Sequence, residues 1–133
     1  MIALRELSKT FTTPAGTFQA LNGISLDVAA GEFVAIVGRS GSGKSTLLNL
    51  IAGLDAPSSG HVVVGGRGIH ELSHDRLAAW RGRAVGIVFQ AFQLLPTLSA
   101  VENVMLPMDF CNTFPRGARR ARALDLLARV GVA

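Results

Sequence analysis

The sequence predicts an α/β fold, and three adjacent features between residues 32 and 53 support this prediction. Residues 32–37 form an apolar, β-branched run that is typical of a buried strand. A glycine-rich segment, residues 38–46, follows directly. Apolar residues then recur at helical spacing up to Ile51, and Gly53 stands where a helix C-cap glycine belongs. A strand, a tight turn and a helix in this order are typical of proteins with a parallel sheet.

The glycine-rich segment fits the phosphate-binding pattern G-x-x-x-x-G-K-[ST]. Glycines let the backbone bend so that its N–H groups point at phosphate oxygens, with the first turn of a helix behind them. Lys44 would act on the β- and γ-phosphates, and the Ser45 hydroxyl would bind Mg²⁺. The pattern therefore predicts a nucleoside triphosphate site in a P-loop NTPase fold. Its predicted binding residues are Gly38, Arg39, Ser40, Gly41, Ser42, Gly43, Lys44, Ser45 and Thr46.

An antiparallel β-layer is predicted on either side of this unit. Before it, the strand-like segments are 2–7, 18–21 and 24–28, with a turn at Pro14-Ala15-Gly16. After it, residues 61–64 and 67–69 flank Gly65-Gly66 as a short hairpin that returns to the same layer.

The rest of the chain predicts the start of a helical subdomain and one further strand. A short helix follows Ser73, and the apolar run 85–89 predicts a second strand of a parallel core sheet. Ser99 and Glu102 form a capping box at the start of a helix that runs towards Pro107. Pro115 lies near the first turn of the last predicted helix.

Composition and length favour one domain that occupies residues 1–133, with 49% hydrophobic residues and no apolar run long enough to span a membrane. Arg5 and Glu6 stand where a signal peptide would be apolar, and Cys111 is the only cysteine. We therefore expect a cytoplasmic protein without an intrachain disulfide.

The formal charge of +4 includes five arginines in the last eighteen residues. Nucleic acid is not expected as a partner, because no stacking aromatics are interleaved with these charges. The apolar positions of the segment recur at helical spacing, so the arginines are predicted to form the solvated face of an amphipathic helix. These apolar positions are Ala121, Leu124, Leu127 and Ala128. The three histidines lack the spacing of a metal site.

The order of these elements and motifs resembles the nucleotide-binding domain of ATP-binding-cassette (ABC) transporters over essentially the whole chain. Residues 88–96, VFQAFQLLP, and residues 101–104, VENV, are most similar to the lipoprotein-releasing and macrolide-export ATPases. The cell-division ATP-binding protein is a near neighbour. The resemblance implies ATP and Mg²⁺ as cofactors, a transmembrane permease subunit and a second nucleotide-binding domain as partners, and a location on the inner face of the cell membrane.

By the same resemblance, Phe11 stacks on the adenine ring, although a buried core aromatic is the alternative. Gln90 corresponds to the family's loop glutamine, a catalytic residue together with Lys44, whose amide reaches Mg²⁺ or the attacking water. A glutamine that only satisfies backbone groups is the alternative for Gln90. Arg39 replaces a proline of many relatives at a position that need not touch phosphate.

The family's L-S-G-G-Q signature, its apolar run ending in Asp-Glu, and its later histidine are absent from these residues. We therefore expect an N-terminal part of the ATP-binding domain. The parent would couple ATP hydrolysis to export or lipoprotein release, while this chain alone would bind ATP without the residues for efficient hydrolysis.

Three alternatives stay open at this point. A GTPase or small-molecule kinase would share the loop, although no Asn-Lys-x-Asp element for guanine is present. A cell-division ATPase would share most of the motifs. A non-hydrolysing cassette would act as a binding module for a membrane partner.

Overall fold

The computed structural model describes residues 1–91 and 93–132, which fall into two compact units, one ending at Ala78 and the other starting at Ala79. The first unit is built on a four-stranded antiparallel sheet with the strand order β2-β1-β3-β4. This sheet confirms the predicted antiparallel layer, with longer first strands than expected. The strands are β1 (Ile2–Thr13), β2 (Gly16–Val28), β3 (Ser59–Val64) and β4 (Arg67–Gly68).

The long β1–β2 hairpin places two phenylalanines opposite each other. Its connection is the two-residue turn Pro14-Ala15, and Thr13 pairs with Gly16. Two residues further from the turn, Phe11 pairs with Phe18. Directly opposite residues of an antiparallel pair lie on the same face of the sheet, so both rings belong to one face of the hairpin.

The core of the first unit lies between the sheet and helix α1 (Lys44–Ile51), which packs against β2 and β3. Burial of these apolar side chains is the main contribution to the stability of the unit, at about 25 cal/mol per Å² removed from water. The buried apolar residues are Leu4, Leu7, Leu21, Leu47, Leu50, Val62 and Ile69.

The prediction of two strands of a parallel sheet, at residues 32–37 and 85–89, is wrong for the part of the chain that the structure describes. Neither 32–37 nor 85–89 has regular secondary structure, and neither pairs with another described strand. Side chains that were expected to be buried are exposed, including Phe33 at 97% and Val88 at 100%. A β-strand is stabilised by backbone hydrogen bonds to an adjacent strand. Neither apolar run has such a partner among the described residues, so neither forms a strand.

Helices follow the hairpin β3–β4. Helix α2 (His74–Ala84) begins directly after Ser73, as predicted, and helices α3 (Ala100–Cys111) and α4 (Arg116–Arg129) complete the described chain. The capping box is confirmed, because the Ser99 hydroxyl accepts from the Glu102 N–H and the Glu102 carboxylate accepts from the Ser99 N–H. Pro107 lies inside α3. No helix in the described part of the chain is both long and apolar enough to cross a membrane.

The predicted solvated arginine face of α4 needs one correction, because Arg119 is buried. Its guanidinium donates to Asp109 Oδ1 at 2.6 Å, to Asn112 Oδ1 at 2.6 Å and to the Phe114 carbonyl at 2.8 Å. These acceptors replace the water that a buried guanidinium loses. The buried stripe of α4 therefore contains Arg119 and Ala123, and the predicted apolar position Leu124 is 41% exposed.

Candidate functional site

The glycine-rich loop adopts a conformation that depends on two of its glycines. Gly41 has φ +78° and Gly43 has φ +85°, which is left-handed backbone that other residues adopt only with strain. Gly43 is the N-cap of α1, and its carbonyl accepts the first helical hydrogen bond, from Leu47 N at 2.8 Å. The free N–H groups of the first helical turn therefore follow the loop directly, and they favour an anion at this position.

Gly43 also fixes the loop against strand β2. A Cβ atom at this position would lie 2.6 Å from the Ala20 carbonyl oxygen and 2.8 Å from Leu21 Cδ2. No side chain fits in this space, because real Cβ atoms do not approach a backbone oxygen so closely. The backbone of the loop is thus in direct contact with the strand that carries Phe18.

The Lys44 ammonium group lies over the loop from which its helix starts. Its Nζ donates to the Gly38 carbonyl at 2.9 Å, to the Arg39 carbonyl at 2.7 Å and to the Ser42 hydroxyl at 3.3 Å. The positive charge is therefore held at the centre of the loop rather than extended into solvent. The loop thus combines a lysine charge with a helix N-terminus, which is the combination that binds phosphate groups.

An open pocket of about 550 Å³ connects this loop to the hairpin. Residues 40–46 of the loop and helix start line it together with Phe11, Phe18 and Ala20 of the hairpin. The volume is within the range of about 300–1,000 Å³ typical of small-molecule sites. The loop offers N–H groups and an ammonium, and the hairpin offers aromatic surface, so the pocket suits a ligand with an anionic and a flat apolar part.

The residues present fit a nucleoside triphosphate and its Mg²⁺ ion. Glycines hold the loop open for phosphate oxygens, and Ser45 lines the pocket at the helix start with its hydroxyl available as an oxygen ligand. One protein oxygen is sufficient for a Mg²⁺ ion that keeps most of its waters and binds substrate phosphates. Among the described residues, no group of three or more His, Cys, Asp or Glu side chains forms a separate metal site.

Phe11 is half exposed at the pocket and is contacted by a lysine. The Lys9 ammonium lies 4.9 Å from the centroid of its ring and is itself held by Asp55 Oδ1 and the Ala56 carbonyl, both at 2.7 Å. A cation at this distance from an aromatic ring is attracted to it. The Phe11 ring is thus anchored beside the pocket, and the alternative of a fully buried core aromatic does not apply, since 38% of the residue is exposed.

Most of the chain, including the phosphate-binding loop, matches a protein-family model. The model described as ABC transporter matches residues 21–133. The chain belongs to the ABC transporter family. Its fold is that of the ATP-binding domain of these transporters, as the resemblance of the motifs implied.

Curated ABC relatives with high identity are macrolide export ATP-binding/permease proteins named MacB. The protein of Burkholderia cenocepacia strain HI2424 is 46% identical over 133 residues, which is all of this chain and 19% of the relative. That of Brucella abortus strain 2308 is 46% identical over 127 residues, and that of Syntrophobacter fumaroxidans is 44% identical over 135 residues. The chain thus spans about a fifth of the length of these relatives.

Solved structures of ABC cassettes have the same fold. A dimeric post-hydrolysis structure of the ATP-binding cassette MJ0796 bound to ADP and Pi matches with a TM-score of 0.88 and 41% identity, over 96% of this chain and 56% of that one. A second dimeric structure of MJ0796, described as a bacterial ABC transporter cassette, matches with a TM-score of 0.88 and 42% identity.

The structure places the predicted site residues in two groups. Phe11 and the loop residues from Ser40 to Thr46 line one pocket of the first unit, and Gly38 and Arg39 hold Lys44 through their carbonyls. Gln90 belongs to the second unit, where it is exposed and lies in a bend. Its role at Mg²⁺ remains a prediction.

Sequence reasoning missed Phe18 and Ala20, which line the same pocket. Phe18 was assigned to the start of a strand without a role. Counting outward from the two-residue turn Pro14-Ala15 gives the pair Phe11 and Phe18, so this register was the available signal. No comparable signal points to Ala20, because alanine has no polar or aromatic side-chain group that would mark it as a binding residue.

Proposed function

We propose that this chain binds Mg-ATP through residues 38–46 as the ATP-binding part of an ABC exporter. The observation that carries the proposal is one pocket that is lined both by a phosphate-binding loop and by the aromatic residues of a hairpin. We further propose that residues 1–133 all belong to one ATP-binding domain.

The proposed roles follow from the chemistry of each group. The backbone N–H groups at the start of α1 and the Lys44 ammonium would neutralise the β- and γ-phosphates. Ser45 would hold Mg²⁺, and the ion would neutralise charge that develops on the transferred phosphoryl group. Phe11 would bind the base through its exposed ring surface, and Gln90 would orient the attacking water in the complete ATPase.

Export is the proposed task of the complete protein, because the MacB relatives are macrolide export ATP-binding/permease proteins. We propose a transmembrane permease part and a second copy of the ATP-binding domain as partners, at the inner face of the membrane. The dimeric cassettes of similar fold support the second copy. Lipoprotein release and a cell-division role are alternatives for the same machinery.

Calorimetric titration of the chain with ATP in Mg²⁺ buffer tests the proposal. Lys44→Ala should weaken ATP binding at least about tenfold, since a loss of about 1.4 kcal/mol is modest for charge-assisted bonds to phosphate. Arg67→Ala is the matched control, because this exposed cation on β4 does not line the pocket. Unchanged affinity in Lys44→Ala would contradict the proposal.

A second measurement separates an ATPase from a non-hydrolysing binding module. Turnover of ATP by the protein as the cell produces it should depend on Lys44 and on Gln90, since one residue holds phosphate and the other positions water. Binding to a membrane partner that is equal with and without Mg-ATP, together with no turnover, would favour the binding module.

A further inference from the structure

We propose that Phe18 is a second base-binding residue, which forms with Phe11 an aromatic pair that positions the nucleotide base over the phosphate loop. The inference rests on the proposed binding of ATP and extends it to a residue outside the phosphate-binding pattern. Its ligand is the flat, apolar face of a purine.

The register of the hairpin brings the two phenylalanines together. Phe11 and Phe18 are direct cross-strand partners, so their side chains leave the sheet on one face. Both also line the pocket that contains residues 40–46. The two rings therefore border the same space as the phosphate loop.

Both rings are exposed to solvent. Phe18 is 58% exposed and Phe11 is 38% exposed, whereas the other large apolar side chains of the sheet are buried or partly buried. Aromatic surface that faces a pocket gains free energy when a flat ligand removes it from water, and base stacking on an aromatic ring contributes about 1–3 kcal/mol. Phe18 has more such surface available than Phe11.

Strand β2, which carries Phe18, is in contact with the phosphate loop through its backbone. Ala20 follows Phe18 by two residues on β2, and its carbonyl oxygen is in backbone contact with Gly43. A ligand bound by its phosphates at residues 43–46 is thereby brought to a defined position relative to Phe18. Ala20 also lines the pocket, and its small side chain takes little of the space there.

The hairpin residues that line the pocket are apolar. Phe11, Phe18 and Ala20 carry no polar side-chain atoms, so they recognise a base by its face rather than by its hydrogen-bonding edge. Lys9 anchors the Phe11 ring, which leaves Phe18 as the more exposed surface for the ligand.

Calorimetric titrations with ATP and with inorganic tripolyphosphate, both in Mg²⁺ buffer, test this role on the same chain. Phe18→Ala should raise the Kd for ATP at least about fivefold, equivalent to about 1 kcal/mol, because a stacking surface is lost. The Kd for tripolyphosphate should stay within about twofold, because this ligand has no base. Phe18→Tyr should bind both ligands as the unsubstituted chain does, because it keeps the ring.

Thr17→Ala is the matched control, since Thr17 is the neighbouring residue on the other face of the hairpin and does not line the pocket. If Phe18→Ala does not fold, as judged by circular dichroism, Phe18→Leu keeps an apolar side chain without a ring and should show the same selective loss.

Equal weakening of ATP and tripolyphosphate would overturn the inference, because Phe18 would then only support the hairpin. Unchanged ATP binding in the variant without the ring would also overturn it. Failure of the unsubstituted chain to bind either ligand would instead overturn the proposed function, and this inference with it.

Discussion

Gly43 and Ala20 are in backbone contact, so that a Cβ on Gly43 would lie 2.6 Å from the Ala20 carbonyl oxygen. This contact joins the phosphate-binding loop to the strand that carries Phe18. The loop and the hairpin, which both line the pocket, are therefore held together by main-chain atoms, whose positions do not depend on rotamers. In the pattern G-x-x-x-x-G-K-[ST], the glycine at position 43 allows the backbone to approach the phosphate. The structure adds a second reason for this glycine, because a side chain at position 43 would collide with strand β2.

The first prediction concerns this contact. Gly43→Ala should displace the loop from β2, because the new methyl group meets backbone atoms and a residue at φ +85° is strained. We expect a loss of more than about 2 kcal/mol in the free energy of unfolding and at least about a tenfold weaker Kd for ATP. Urea unfolding and calorimetry measure the two quantities.

Gly66→Ala is the matched control for Gly43→Ala. Gly66 has φ +79° and no atom within 4 Å of a Cβ, so its substitution brings the strain without the close contact. Its cost should be limited to the strain of about 1–3 kcal/mol, with ATP affinity unchanged. Equal ATP affinity in both variants would contradict a role of the contact in holding the loop.

The second prediction concerns the buried guanidinium of Arg119. Asp109→Ala removes its ion-pair partner at 2.6 Å and leaves the arginine charge buried among the remaining acceptors. The Arg119 side chain is 5% exposed but the Asp109 side chain is 48% exposed, so water screens the pair. Its loss should cost about 1.5–3 kcal/mol, the range for a hydrogen bond to a charged group, rather than the higher cost of a fully buried pair. Urea unfolding of the variant should show a loss of this size in the free energy of unfolding.

Two variants refine the Asp109 result. Asp109→Asn keeps an oxygen that accepts from Arg119 and should recover part of the loss. Arg120→Ala, at the exposed neighbour on α4, should change the free energy of unfolding by less than about 0.5 kcal/mol. If Asp109→Ala lowers the free energy of unfolding by as little as Arg120→Ala does, the ion pair between Asp109 of α3 and Arg119 of α4 does not contribute to stability.

The phosphate-binding loop could be predicted from the sequence because its chemistry lies in nine consecutive residues. The position of Phe18 beside this loop depends on which residue of β1 it faces, and that register follows only when the turn is taken as the two residues Pro14-Ala15 and not as the predicted three residues Pro14-Ala15-Gly16. A sequence motif identifies a site whose residues are consecutive in the chain. A site built from residues on two paired strands can be identified only after the register of the strands is known.

Residues 32–37 and Arg119 show two other limits of sequence reasoning. The β-branched run has the composition of a buried strand, but composition cannot supply the neighbouring strand on which pairing depends. Arg119 lies on the buried stripe of α4 with Ala123, and a pattern that scores arginine as solvated assigns it to the wrong face. Its three acceptors come from Asp109, Asn112 and Phe114, which precede the helix, so the helical periodicity does not reveal them.

The third prediction concerns the pH dependence of the α3 capping box. Hydrogen bonds from the Ser99 side chain, and then from its backbone N–H, hold the pKa of Glu102 below its ordinary value of about 4.5. Because the folded pKa is depressed, the stabilisation is present above the unfolded pKa and is lost as the pH falls through the folded pKa. Ser99→Ala should raise the pKa of Glu102 towards 4.5.

Carboxyl NMR titration measures the pKa of Glu102, and urea midpoints at several pH values measure the linked stability. The difference in stability between the unsubstituted chain and Ser99→Ala should be largest near neutral pH and should shrink below about pH 4.5. Ser99→Thr keeps the hydroxyl and should behave like the unsubstituted chain. A difference in stability that is constant over this pH range would contradict the linkage.

The fourth prediction concerns the close approach of β3 to β1. Gly60 has φ +85°, and a Cβ there would lie 2.6 Å from the Arg5 carbonyl oxygen and in contact with the Glu6 carbonyl, beside an irregularity in the β1–β3 pairing. Gly60→Ala should therefore force the two strands apart and lower the free energy of unfolding by more than about 2 kcal/mol. Gly65→Ala, with φ +58° and no atom within 4 Å, separates backbone strain from this close approach in the same urea experiment. If both substitutions cost the same, strain alone explains the glycine at position 60, and the contact between the strands has no measurable share.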